Sequence, residues 1–171
     1  TLIEIIESSK SSISVRDTAL HQFSYYLVDE RIINVLKHII TQEKNHKLRK
    51  TAVSAFGNNI SRLSIDNKKI IENEINILFI ALNDSMTQVR KQAADILSYS
   101  IISEQSVEPL IKRLKIENSI SSRKAIVSAL ASLLRKNISS EIIIPILEEI
   151  FINNKEDYRV REEARYAIQK N

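Results

Sequence analysis

The sequence predicts an all-α protein, a right-handed α-solenoid of about five helix pairs. Three observations lead there. One Gly and two Pro in 171 residues are too few for a sandwich or barrel, which needs many tight turns. Five segments repeat one helical pattern, and a second apolar segment precedes each of them. A composition 43% hydrophobic and 27% charged suits a folded chain and argues against disorder.

The five copies align on an opener followed by Arg. They read "VRDTALHQFSYYL" from 15, "LRKTAVSAFGNNI" from 48, "VRKQAADILSYSI" from 89, "SRKAIVSALASLL" from 122 and "VREEARYAIQKN" from 160. Arg16, Arg49, Arg90, Arg123 and Arg161 fall in one column. Three residues on stand Ala19, Ala52, Ala93, Ile126 and Ala164; four further stand Phe23, Phe56, Leu97, Leu130 and Ile168. Leu27, Ile60, Ile101 and Leu134 come four later again, which is the spacing of one buried helical stripe. The preceding segments are "LIEII" (2–6), "RIINVLKHII" (31–40), "KIIENEINILFIAL" (69–82), "VEPLIKRLKI" (107–116) and "EIIIPILEEIFI" (141–152). Pro145 should start or kink the last of these.

Successive arginines are 33, 41, 33 and 38 residues apart, the period of stacked helix pairs whose neighbours supply the core. The chain thus reads as a single array, 1–171, with approximate repeats 1–29, 30–66, 67–103, 104–137 and 138–171. The longer step contains "SRLSIDNKK" (61–69), the expected flexible joint.

The "VR" openers, the spacing from Asp84 to Arg90 and "VEPLIKRL" resemble HEAT repeats, including the short bacterial kind of phycobilin-lyase-like proteins. The resemblance covers nearly the whole chain. It implies that an acid six residues before the arginine helps build a polar ladder between adjacent repeats. Glu43, Asp84 and Glu117 keep that spacing to Arg49, Arg90 and Arg123, whereas Lys10 and Lys155 occupy it at the two ends. Related repeats occur in phycobilin lyases, where such a chain works as half of a pair, and in alkylpurine DNA glycosylases. The glycosylase kind relies on aromatics including Trp, and this chain has none.

An arginine in a helix's first turn opposes that helix's dipole by a few tenths of a kcal/mol, so five of them imply a compensating partner. The recurring acid favours a structural bond over a row of cations for phosphates. In stacked pairs the second helices line the concave side. Their outward positions give Asp17, His21, Ser24; Lys50, Ser54, Gly57, Ser61; Lys91, Asp95, Ser98; Lys124, Ser128, Ala131, Arg135; and Glu162, Tyr166, Gln169. The expected floor is small and polar. Lys50, Lys91 and Lys124 make a short basic row with Tyr25 and Tyr99 beside it, and Asp17 and Glu162 close its ends. It reads either as a solvated face or as a groove for a protein or peptide partner. Nucleic acid is the lesser candidate, because three lysines neutralise roughly three phosphates and give weak, salt-sensitive binding.

No catalytic residue, metal or cofactor is expected. Gly57 alone excludes a Gly-rich phosphate loop, and without Cys the three histidines do not make a zinc site. His38 reads as a surface residue and His46 as part of a loop, "EKNHK". Adjacent acids such as Glu148–Glu149 and Glu162–Glu163 point about 100° apart on a helix and make poor acid–base pairs. The net charge of +4 is mild, and apolar runs such as "ILFIAL" (77–82) fall far short of the ~18 residues that span a bilayer. A cytoplasmic interaction scaffold is therefore expected. Thr1 in place of an initiator Met suits a chain excised from something longer. Arg165 breaks the column of Leu20, Val53, Ala94 and Val127, as a capping repeat does, whereas Leu2, Ile3, Ile5 and Ile6 leave the first helix apolar. Self-association through that end is expected.

Overall fold

A computed structural model describes residues 1–25, 30–63, 74–99 and 102–170. Among them ten α-helices follow as five pairs: α1 (Leu2–Glu7) and α2 (Ile13–Phe23); α3 (Glu30–Gln42) and α4 (His46–Leu63); α5 (Asn76–Leu82) and α6 (Thr87–Tyr99); α7 (Val107–Ile116) and α8 (Ile120–Leu134); α9 (Ser140–Ile152) and α10 (Tyr158–Gln169). A 3₁₀ turn, Glu104–Ser106, leads into α7. Leu27, Ile101 and most of the 61–69 joint lie outside the described residues, while residues 61–63 complete α4.

The chain divides into two compact units, Thr1–Ala93 and Ala94–Asn171, with the division inside α6. In the first, α1 packs on α2, α2 and α3 each pack on α4, and α3 meets α5. In the second, α8 contacts α7, α9 and α10, and α9 packs on α10. The repeat columns explain these contacts. Ala19, Ala52, Ala93, Ile126 and Ala164 are buried, as are Phe23, Phe56, Leu97 and Leu130. Small residues in the first column let helices approach, and large ones in the second fill the space between pairs.

Two local expectations differ from the structure. His46 is the first, exposed residue of α4 and not part of a loop. Asn45 carries the turn instead, its Oδ1 accepting the amides of Lys47 and Leu48. Pro145 sits inside α9, which begins five residues earlier at Ser140. The link before α9 explains how that helix starts early. Asn137 adopts φ 55°, and the amides of Ile138 and Asn137 bond back to Leu133 O and Leu134 O, which closes α8. Ser139, at φ 51°, then redirects the chain into α9.

Candidate functional site

Each arginine of the column first faces back onto the end of the helix before it or onto the link that follows that helix. Arg16 Nε donates to Ile6 O at 2.6 Å, Arg123 Nη1 to Leu114 O at 2.7 Å and Glu117 O at 2.9 Å, and Arg161 Nε to Phe151 O at 3.1 Å. Arg49 Nη1 donates to Glu43 O and Lys44 O, each at 2.9 Å. Arg90 Nη1 donates to Asp84 O at 2.8 Å and Ser85 O at 2.9 Å. A helix leaves its last four carbonyls without partners and carries partial negative charge there. The guanidiniums of Arg16, Arg123 and Arg161 answer both needs of the first helix, and those of Arg49 and Arg90 bond carbonyls of the link that follows it. These bonds offset the unfavourable place of each arginine in the first turn of the second helix.

Arg16, Arg49 and Arg123 reach forward to the next pair as well. Arg16 Nη2 donates to Glu43 Oε2 at 2.6 Å. Arg49 grips Asp84 with both arms of its fork, Nε to Oδ2 at 2.6 Å and Nη2 to Oδ1 at 2.8 Å. Arg123 holds Glu156 through Nε at 3.1 Å and through a closer Nη2 contact. The acid six before an arginine therefore plays two parts. For Glu43 and Asp84, the side chain bonds the arginine of the preceding pair and the backbone carbonyl bonds the arginine of its own. Glu117 gives Arg123 its carbonyl, while its side chain accepts from Arg113 Nε at 3.1 Å and the Ser119 amide at 2.9 Å. In the fifth pair Glu156, not Lys155, meets the arginine, because the link at 153–157 is longer than that at 43–45 and sets the acid one place later.

The same contacts set the charge of these carboxyls. Burial alone would raise Asp84. The Arg49 fork, the Met86 amide and Arg90 outweigh it and hold Asp84 below the ordinary carboxylate range. Burial likewise opposes Glu43, and the Asn45 amide and Arg16 overcome it. Asp84 in turn raises Arg49 against the effect of burial.

The second helices carry the lysines on their least buried stripe. Lys50 is exposed on α4, with half-buried Ser54 one turn on. Lys124 is exposed on α8, with half-buried Ser128 one turn on, and its Nζ lies 3.6 Å from Glu163 Oε2. Lys91 is exposed on α6 ahead of half-buried Asp95. Tyr25 and Tyr99 are 77% and 63% exposed. Exposed Arg135 donates from Nη2 to Ser132 Oγ at 2.7 Å.

Four residues expected to point outward are buried instead: Asp17, Ser24, Gly57 and Ala131. Asp17 turns inward because α4 supplies partners for it. Thr51 Oγ1 donates to its Oδ1 at 2.6 Å, and Lys47 Nζ stands 2.8 Å from Oδ2. Burial would raise this carboxyl too, but Lys47 and Thr51 hold it low. Asn59, fully buried, ties α4 to α2 from below by donating to Phe23 O and to Ala55 O, each at 2.8 Å. Several floor serines are taken up internally: Ser61 Oγ donates to Gly57 O at 2.7 Å, Ser132 Oγ to Ser128 O at 3.1 Å, and Ser98 Oγ lies 3.1 Å from Ser132 Oγ. Among the described residues no group of three or more His, Asp or Glu is arranged to hold a metal, and no helix is long and apolar enough to cross a membrane.

The family model for HEAT repeats matches residues 75–169, more than half of the chain. The chain is a HEAT-repeat protein. Solved structures share its fold. A chain from the complex of CpcE and CpcF of phycocyanin lyase from Nostoc sp. PCC7120 superposes with a TM-score of 0.70 at 18% identity, over 99% of this chain. This HEAT-repeat chain spans 63% of that one. Two engineered proteins match with TM-scores of 0.64 and 0.65 at 19% and 23% identity, each over 98% of this chain and over 77% and 46% of their own. No curated protein matches the sequence.

Within the HEAT frame, the Lys47–Asp17–Thr51 cluster and Glu156 are what sequence reasoning missed. Asp17 carried a readable signal, since Lys47 and Thr51 lie one helical turn apart and so present a cation and a hydroxyl to one point.

Proposed function

We propose that this HEAT-repeat protein is a non-enzymatic scaffold of the cytoplasm that binds a protein or peptide partner on the exposed stripe of its second helices. The observation that carries the reading is the pairing of an exposed lysine with a short side chain one turn on, Lys50 with Ser54 and Lys124 with Ser128. Short side chains admit a partner's backbone, and the ammonium groups favour an acidic or extended segment. Lys91, Asp95, Tyr25, Tyr99 and Arg135 complete the proposed contact set. The tyrosines add apolar area with a hydroxyl at its end.

The test is a pull-down from native lysate with and without nuclease, comparing wild type with a variant in which Lys50, Lys91 and Lys124 are all Glu. Capture of one defined protein that survives nuclease and falls at least about tenfold in affinity in the variant, some 1.4 kcal/mol, is the expected result. Capture that vanishes with nuclease transfers the stripe to nucleic acid and refutes the scaffold.

A second reading is a lyase-type subunit, favoured by the match to the phycocyanin lyase complex over nearly the whole chain. It predicts a visible-light chromophore retained when the protein is produced alongside bilin. Colourless protein with unchanged melting under that condition sinks it.

A further inference from the structure

Neighbouring second helices meet through a rung of their own, separate from the arginine ladder. One residue after each column arginine stand Asp17, Lys50, Lys91, Lys124 and Glu162. Two residues after it stand Thr18, Thr51, Gln92, Ala125 and Glu163. In each unit the first position of one helix touches the second position of the next. Between α2 and α4, Thr51 Oγ1 donates to Asp17 Oδ1 at 2.6 Å. Between α8 and α10, Lys124 Nζ lies 3.6 Å from Glu163 Oε2.

The register gives Glu163 a singular role. Of the five residues at the second position it alone is charged. Glu162 beside it is engaged by Arg165 at 2.7 Å. The residue on α6 that corresponds to Glu163 is Gln92, a neutral amide, so the register sets no acid beside Lys50. The Lys50 side chain has no bond among the described residues.

The contact of Lys124 with Glu163 is also built unlike the ladder. Arg49 grips Asp84 by two bonds, of 2.6 and 2.8 Å, through largely buried side chains. Lys124 is half exposed, and 3.6 Å is longer than an ordinary N–H···O bond. A loose, single pair open to water contributes little to stability. Its effect falls on the lysine stripe instead. Glu163 cancels much of the charge that Lys124 would offer an acidic segment, and a partner carboxylate that bonds this ammonium must displace it.

We propose that Glu163 limits how tightly the lysine stripe holds an acidic peptide segment. It occupies Lys124 until a carboxylate of the segment takes its place, whereas Lys50 accepts such a carboxylate without competition. The inference rests on the reading of the stripe as a binding face, and it assigns the occupant a chemistry, a peptide that carries carboxylates.

The test is fluorescence anisotropy at low ionic strength with a fluorescein-labelled peptide of alternating Glu and Ser, and with its Gln–Ser counterpart as the uncharged control. Circular dichroism melting confirms the folding of each variant. Wild type should prefer the Glu–Ser peptide, and Lys50→Gln should weaken that binding at least about twofold. Glu163→Gln should tighten it about two- to fivefold at an unchanged melting temperature. Gln92→Glu, which places an acid beside Lys50 in the same register, should weaken it by a similar factor. Glu148→Gln changes the net charge equally, from an exposed position on α9, and should leave the affinity as in wild type.

Affinity indifferent to both Glu163→Gln and Gln92→Glu overturns the inference, and the stripe reading survives that result so long as Lys50→Gln weakens binding. Equal tightening by Glu163→Gln and Glu148→Gln overturns it too, since net charge alone then sets the affinity. Wild type with no preference for the Glu–Ser peptide overturns the inference and the acidic-segment reading of the stripe together.

Discussion

Replacing Arg49 with Ala is expected to lower the unfolding free energy of the Thr1–Ala93 unit by about 3–5 kcal/mol, the range for removing one partner of a buried ion pair. The side chains of Arg49 and Asp84 are 11% and 9% exposed. The guanidinium makes four bonds, two to Asp84 and two to the carbonyls of Glu43 and Lys44. Alanine leaves a buried carboxylate without its main counter-charge and two carbonyls of the link after α3 without this donor. Domains of this size are stable by about 5–15 kcal/mol, so the loss is a large share of the total. Urea denaturation of wild type and variant measures it. A change under about 1 kcal/mol would mean that the pair behaves as a solvated surface bridge.

Two companions separate the charge from the shape. Arg49→Lys should recover less than half of the loss, because one ammonium cannot span both Asp84 oxygens and the two carbonyls. The double change of Arg49 and Asp84 to Ala should cost clearly less than the sum of the singles, since no charge is then left stranded. Arg90→Ala should follow Arg49→Ala in direction. Its side chain is buried and bonded to Asp84 O, Ser85 O and Thr87 Oγ1.

The array was legible because its determinants are local. Apolar columns at helical spacing placed α3, α7 and α9 within a residue or two, and "VEPLIKRLKI" is α7 from first residue to last. The arginine column was visible for the same reason, being fixed to the first turn of each second helix. What each arginine bonds was harder to read. The bond forward joins residues 27 to 35 apart, as in Arg16–Glu43, Arg49–Asp84 and Arg123–Glu156, and depends on the geometry between pairs. A spacing rule of six residues assumes one loop length, and at Glu156 that assumption fails by one place. Asp17 failed for a related reason. Its position along α2 puts it at the edge of the buried stripe, and partners on α4 decide which way it turns. The lysine stripe was legible as a set of exposed positions, since exposure follows from the same periodicity that buries the columns.

Acid should unfold the first unit over a definite range. Asp17, Glu43 and Asp84 are held below their ordinary values in the native state, each against the opposing effect of burial. The unfolded chain releases them to about 3.9 for Asp and 4.3 for Glu. Above those values both states are ionised, and the full stabilisation from Arg16, Arg49, Lys47 and Thr51 is present. As pH falls through them, the unfolded chain takes up protons that the native state does not, and stability declines until the native carboxyls titrate in turn. Each such group contributes at most about 1.4 kcal/mol per pH unit, so the three together set a ceiling of about 4 kcal/mol per pH unit. Thermal midpoints followed by circular dichroism should therefore be flat from about pH 7 to 5 and fall steeply below about pH 4. Asp84→Asn should start from a lower midpoint at pH 7 and decline with a shallower slope, because one of the three linked protons has been removed. A variant parallel to wild type throughout would show that Asp84 titrates alike in both states, and that the Arg49 fork does not stabilise its charge.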